Sequence, residues 1–195
     1  MTESRLYFKQ LLSGLDFAVD DFMAQQMANF VYLIGDKETH EAIIVDPAYA
    51  VGELLEIAGN DDMRVVGALG THFHADHIGG DLMGHPIEGF EALLELQGMK
   101  LHVQALETEW VRKTTALSRE DIQEHQPGDS LDVGSIEIQM MHTPGHTPGS
   151  QCFLVDGRLV AGDTLFLTGC GRTDLPGSKP SDMYKSLQRL AELPD

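Results

Sequence analysis

Four side chains able to bind a cation fall within the string His72-Phe73-His74-Ala75-Asp76-His77. Neutral imidazole and carboxylate are borderline-to-hard ligands that suit Zn2+, Fe2+ and Mn2+. In an extended segment residues two apart point the same way, so His72 and His74 are placed to grip one ion. Asp76 and His77 follow one tight turn later and are placed to face a neighbouring ion. A single histidine is ordinarily a core or surface residue; four donors at this density point to a metal centre. A second segment runs from His142 to Gly149, where Pro144-Gly145 and Pro148-Gly149 flank His146 in a stiff loop. His146 is the ligand candidate there, and His142, at a strand end, is expected to support the site or pack in the core. The third piece is Gly162-Asp163-Thr164, whose carboxylate could bridge two cations with its two oxygens.

The elements that must position these residues are strands. Residues 29–34 and 41–45 read as a hairpin stopped by Asp46-Pro47. Residues 51–58 have apolar side chains at helical spacing, and 64–69 form a short buried strand that delivers the chain to His72. Helices are expected at 89–97, 105–116 and 181–193, the last entered through Pro180. Residues 101–103 and 136–140 read as strands, and the second leads to His142. Residues 151–155 and 159–161 form a hairpin turned by Asp156-Gly157, and it leads to Asp163. The chemically loaded residues thus follow directly on strands, where a rigid element carries a variable loop. The excursion 82–100, with His85, Phe90 and Leu93, is expected to form a rim or lid over the substrate. Phe22, Met23 and Met27 are expected to pack in the core.

The chain has 195 residues, suited to one domain, and 13 Lys and Arg against 31 Asp and Glu, a net charge of −18. So acidic a surface argues against a nucleic-acid partner, which needs basic contacts to phosphate. No run reaches the roughly 18 apolar residues of a membrane span. The start MTESRLYFKQ lacks a basic, then apolar, leader, so a cytoplasmic location is expected. Cys152 and Cys170 make no disulfide framework, and Cys152 reads as core.

The strings THFHADHIGG, TPGHTPGS and AGDTLF, in this order, resemble the metallo-β-lactamase superfamily over roughly residues 29–190. The resemblance implies an α+β fold, a four-layer αββα sandwich with metals at one edge, formed by a single domain over 1–195 that lacks its C-terminal strand. It implies that His72, His74 and His146 hold a first metal and Asp76 and His77 a second. Asp163 would bridge the two, and Asp76 and Asp163 would be the catalytic carboxylates. Two Zn2+ per chain are expected, with iron or manganese as other metals such ligands accept. The family's second site usually adds a histidine near the C-terminus; none follows His146, so the chain is read as cut short at Asp195. Asp46 resembles the aspartate that supports the family's ligands from behind.

Two reactions stay open. One is hydrolysis of a thioester or related ester by a metal-bound hydroxide, as in glyoxalase II. The other is oxidation of a thiol persulfide at a single Fe2+ held by His72, His146 and Asp163. The segment Gly169 to Asp174 resembles the corresponding loop of glyoxalase II-like hydrolases and, more closely, of persulfide dioxygenases. Arg172 is accordingly a candidate substrate contact, with a loop-bracing pair to Asp174 as the other reading. The hydrolase ranks first. A small thioester or thiol-derived molecule is the expected partner. A degenerate binding module would be expected to lose ligands, whereas six candidates stand here.

Overall fold

Period-two burial is the rule that sorts the first hairpin. In β2 (Phe30–Asp36) and β3 (Glu41–Val45), Leu33 and Ile44 face one hydrophobic cluster while Ile34, Ile43 and Val45 face another. A strand covered on both faces needs apolar residues on both, which is why neither strand alternates with polar positions. The computed structural model describes residues 4–97 and 99–194. Residues 1–3, Gly98 within the 82–100 excursion, and Asp195 lie outside them.

In chain order, β1 (Leu6–Leu12) and α1 (Phe22–Met27) precede this hairpin. After it come α2 (Val51–Asn60), β4 (Arg64–Leu69), α3 (Ala75–Ile78), β5 (Gly80–Leu82), β6 (His85–Ile87) and α4 (Phe90–Gln97). Then follow β7 (Leu101–Gln104), α5 (Thr108–Thr114), β8 (Ile122–His125) and β9 (Ser130–Val133). The chain closes with β10 (Ile136–His142), β11 (Gln151–Val155), β12 (Arg158–Val160) and α6 (Pro180–Leu190). One sheet has six strands in the order β1-β2-β3-β4-β7-β8 and the other four in the order β12-β11-β10-β9. β1 and β2 pair antiparallel, as do β2 and β3; from β3 onward the large sheet is parallel.

The cluster between the two sheets includes Ile34, Leu69, Ile138, Met140 and Phe153. The other, between the large sheet and its helices, includes Leu33, Ile44, Leu54, Phe90, Leu93 and Val111. Burying each such side chain contributes about 1.5–3 kcal/mol. α6 buries Met183, Ser186 and Leu190. Its Ser186 Oγ donates to Pro144 O at 2.7 Å, tying the helix to the turn that carries His146. The layers therefore run helix, sheet, sheet, helix, the α+β sandwich expected.

Three expectations change. Residues 105–116 divide into a 3-10 turn (Ala105–Glu107) and α5. Phe90 and Leu93 are fully buried, so α4 is a structural layer and not a lid; the tip around Met83 and His85 is exposed. Met23 packs against the core, but Phe22 and Met27 are exposed. No helix among the described residues is long and apolar enough to cross a membrane.

Candidate metal centre

β4 ends at Leu69, and the chain then bends through residues 71–73 instead of continuing as a strand. His72 and His74 meet across that bend, with His72 Nε2 3.0 Å from His74 Nδ1 and the rings at 85°. They converge by using different ring nitrogens, not by strand alternation as the spacing suggested. α3 starts at once, its first bonds running from the His77 and Ile78 amides to His74 O. This single turn buries Asp76 and His77 beside the pair. The β10–β11 loop brings His146 Nε2 to 3.0 Å from His74 Nδ1. Asp163, in the 3-10 turn after β12, spans the cluster: its Oδ1 lies 3.3 Å from His77 Nε2 and its Oδ2 3.4 Å from His146 Nε2.

Among the described residues two sets of donors form, the atoms of each within 4.8 Å of one another: His72, His74 and His146, and His72, His77 and Asp163. Asp76 joins the second set from the side, its Oδ2 3.7 Å from His77 Nε2.

The hydrogen bonds behind the rings decide which nitrogens carry protons. Asp46 accepts from the Thr71 amide and the Thr71 hydroxyl, both at 2.7 Å. Because that hydroxyl donates to Asp46, it accepts at 3.0 Å from His72 Nδ1–H. His77 Nδ1–H donates to Asp46 Oδ2 at 2.8 Å, and His146 Nδ1–H to Arg172 O at 2.8 Å. Each outer nitrogen therefore holds a proton, and the Nε2 atoms of His72, His77 and His146 point into the cluster. Fixing the tautomer from behind is how proteins prepare histidine for a metal.

The electrostatics agree with a cation site. Burial, with the neighbouring histidines, holds His72 well below the ordinary histidine range and lowers His74 to about 4. Burial opposes a charge on His77, but Asp163, Asp76 and Asp46 outweigh it and raise that group well above its ordinary value. Burial would raise Asp163, yet the histidines around it hold its carboxyl below the ordinary range. The cluster sets buried imidazoles beside carboxylates, and that donor set fits Zn2+ or Fe2+, whose binding would displace the proton that the carboxylates favour on His77.

Other sequence candidates fall as follows. His142 Nε2 lies 2.9 Å from Pro148 O, bracing the His146 loop from outside the cluster. Arg172 reaches the centre with its backbone carbonyl, while its guanidinium makes a bidentate pair with Asp174 at 2.7 and 2.9 Å. Cys152 is buried and Cys170 exposed. Sequence reasoning missed Thr71, Asn29 and Glu107. Asn29 Nδ2 donates to Asp76 Oδ2 at 2.8 Å and lies 3.2 Å from His77 Nε2. Its one signal was its place at the mouth of a strand whose returning partner ends at Asp46. Glu107 had no signal, because an acid in a charged stretch reads as surface.

Residues 25–195 match the metallo-beta-lactamase superfamily. The hydroxyacylglutathione hydrolase of Aeromonas hydrophila is 34% identical over 170 residues, covering 86% of this chain and 58% of that protein. The mitochondrial persulfide dioxygenase ETHE1 of Homo sapiens is 29% identical over 196 residues, covering 93% and 66%. Among solved structures, ETHE1 from Myxococcus xanthus superposes with a TM-score of 0.75 at 29% identity, covering 97% of this chain and 72% of that one. The chain thus spans little more than half the length of the hydrolase and about two thirds of the human dioxygenase. With the ligand cluster at one edge of its paired sheets, this chain belongs to the metallo-β-lactamase superfamily.

Proposed function

We propose that the protein is a metal-dependent hydrolase of thioesters, acting on a small thiol-derived substrate in the manner of hydroxyacylglutathione hydrolase. One observation carries this reading: the Nε2 atoms of His72, His77 and His146 face inward while Asp163 presents one oxygen toward His77 and the other toward His146. A carboxylate shared between two ligand sets suits two ions, with His72, His74 and His146 around the first, Asp76 and His77 around the second, and Asp163 between them. Zinc at both positions would supply Lewis acidity and a water acidic enough to ionise near neutral pH.

The chain's own contribution is positioning and proton handling. Asp76 and Asp163, as the catalytic carboxylates, accept the hydrogen bond of the attacking water and orient it toward the thioester carbon. Asp46 and Thr71 hold the histidines in the tautomers that keep the lone pairs free. Arg172, exposed and held by Asp174, is the contact for an acidic group on the substrate, which would take Asp174's place in the bidentate pair.

A second reading is favoured by Asn29. Its amide already partners Asp76 Oδ2 and faces His77 Nε2, which suits a centre that holds one ion and leaves those two residues to the protein. With Fe2+ held by His72, His146 and Asp163, the protein would oxidise a persulfide.

The test is a pair of assays on protein loaded with zinc or, without oxygen, with iron. Thiol release from a hydroxyacylglutathione by the zinc form, without oxygen uptake when the iron form meets glutathione persulfide, is the expected result. Oxygen uptake by the iron form with no thioester cleavage by either would replace the first reading with the second.

A further inference from the structure

The two loops that supply His72, His74 and His146 belong to different sheets, and nothing in the ligands themselves fixes the distance between them. Glu107, at the end of the 3-10 turn after β7, lies between these loops and is completely buried. Its Oε2 accepts from the Phe73 amide at 2.8 Å, the peptide between His72 and His74. Its Oε1 accepts from the Gly149 amide at 2.6 Å and from the Thr147 hydroxyl at 2.9 Å, the residues that follow His146. One carboxylate oxygen thus serves each ligand loop.

The local sequence is built around this contact. A Cβ on Gly149 would lie 2.7 Å from both Glu107 Cγ and Oε1, so only glycine lets the loop approach so closely. Thr147 Oγ1 lies 2.7 Å from Ser150 Oγ, and the Thr147 amide donates to that oxygen at 3.0 Å, which steadies the loop on the far side of Glu107. A buried carboxylate is costly unless its lone pairs are filled, and here they are filled by three donors drawn only from the two ligand loops.

From this bridge we infer that Glu107 is a positioning residue of the metal centre, the strut that sets the His72–His74 segment and the His146 loop at metal-binding separation. The inference rests on the reading that these three histidines hold a metal. Burial pushes the Glu107 carboxyl up to about 7, so the experiment is set at pH 8, where it is ionised.

Cobalt(II) is titrated into metal-free wild type, Glu107→Gln, Thr147→Val and, as a control, Glu109→Gln, a neighbouring exposed acid paired with Arg112. Affinity, the visible ligand-field spectrum and the unfolding temperature of each metal-free form are recorded. Glutamine keeps the shape but accepts on one oxygen only, so one loop loses its anchor. Glu107→Gln should bind the first cobalt at least tenfold more weakly, with an altered band shape, as changes behind ligands commonly do. Thr147→Val removes the hydroxyl's bonds to Glu107 and to Ser150 Oγ, leaves the Gly149 and Phe73 amides on the carboxylate, and should weaken binding about threefold; Glu109→Gln should match wild type. Should Glu107→Gln not fold, Thr147→Val alone decides. Wild-type affinity and spectrum in the folded variants, even with lowered unfolding temperatures, would overturn the strut. Wild type that binds no cobalt through these histidines would overturn the metal reading and the strut with it.

Discussion

Replacing Asp46 by asparagine probes the support of the centre without touching a ligand. Asp46 sits in the left-handed region, with φ of 57°, where asparagine is also tolerated, so the backbone is not disturbed. Its carboxylate accepts from the Thr71 amide, the Thr71 hydroxyl and His77 Nδ1–H. Two of these bonds end on Oδ2 and one on Oδ1, so whichever way the new amide turns, its NH2 faces at least one buried donor. Leaving one or two such donors without an acceptor costs roughly 1–6 kcal/mol, at about 1–3 kcal/mol each. The metal effect follows separately. Without its anchor, His77 can turn, and Thr71 no longer holds the tautomer of His72. Loss of such support lowers metal affinity by about 10- to 100-fold. Stability of the metal-free protein is measured by urea unfolding, and Zn2+ affinity by competition with a chelating dye. Lower stability with unchanged zinc affinity would refute the argument that Asp46 prepares the ligands; no change in either would refute the hydrogen-bond assignment itself.

Gly171 presses on the centre from the other side. A Cβ there would collide with the carbonyl oxygen of Asp163 and lie 3.0 Å from His146 Nδ1, so Gly171→Ala should weaken zinc binding roughly tenfold in the same dye assay. A second prediction concerns the far end of the large sheet. The bidentate Arg5 guanidinium holds the Asp36 carboxyl below its ordinary range, with the Ser135 and Glu38 amides adding to it. A carboxylate with a lowered folded pKa contributes stability above its unfolded value of about 3.9, and loses it as the pH falls through the folded one. Asp36→Asn should therefore be less stable than wild type at pH 7, with the gap closing below about pH 4 in urea titrations.

How far the sequence could be read depended on whether a residue's role was local. β3 and β4 were legible residue for residue, because continuous apolar runs bounded by Asp46-Pro47 and by polar turns leave little choice. The residues that gather at the candidate centre were legible for the same reason: dense histidines and a carboxylate between glycine and threonine advertise themselves. β1 and β9 were missed. Both pair at a sheet margin and carry mixed polar and apolar positions, so their strand character comes from the neighbouring strand each is laid against and not from an apolar pattern of their own. The excursion after the metal loop was misread because Phe90 and Leu93 look the same whether they line a rim or fill a core. Glu107 was invisible for the deepest reason. Its burial exists only because Phe73 and Gly149, far apart in the chain, both direct amides at it.

The central claim is that His72, His74 and His146 form a metal site with Asp163 bridging to a second. The most direct measurement is metal content by plasma mass spectrometry of wild type and His146→Ala, each purified without added chelator and checked for folding by circular dichroism. Wild type should carry about two transition-metal ions per chain, as expected of zinc sites built from imidazole and carboxylate, and His146→Ala, folded, should lose the ion of the first site. A folded His146→Ala with the wild-type metal content, or a wild type that binds none when supplied with zinc or iron, would contradict the account.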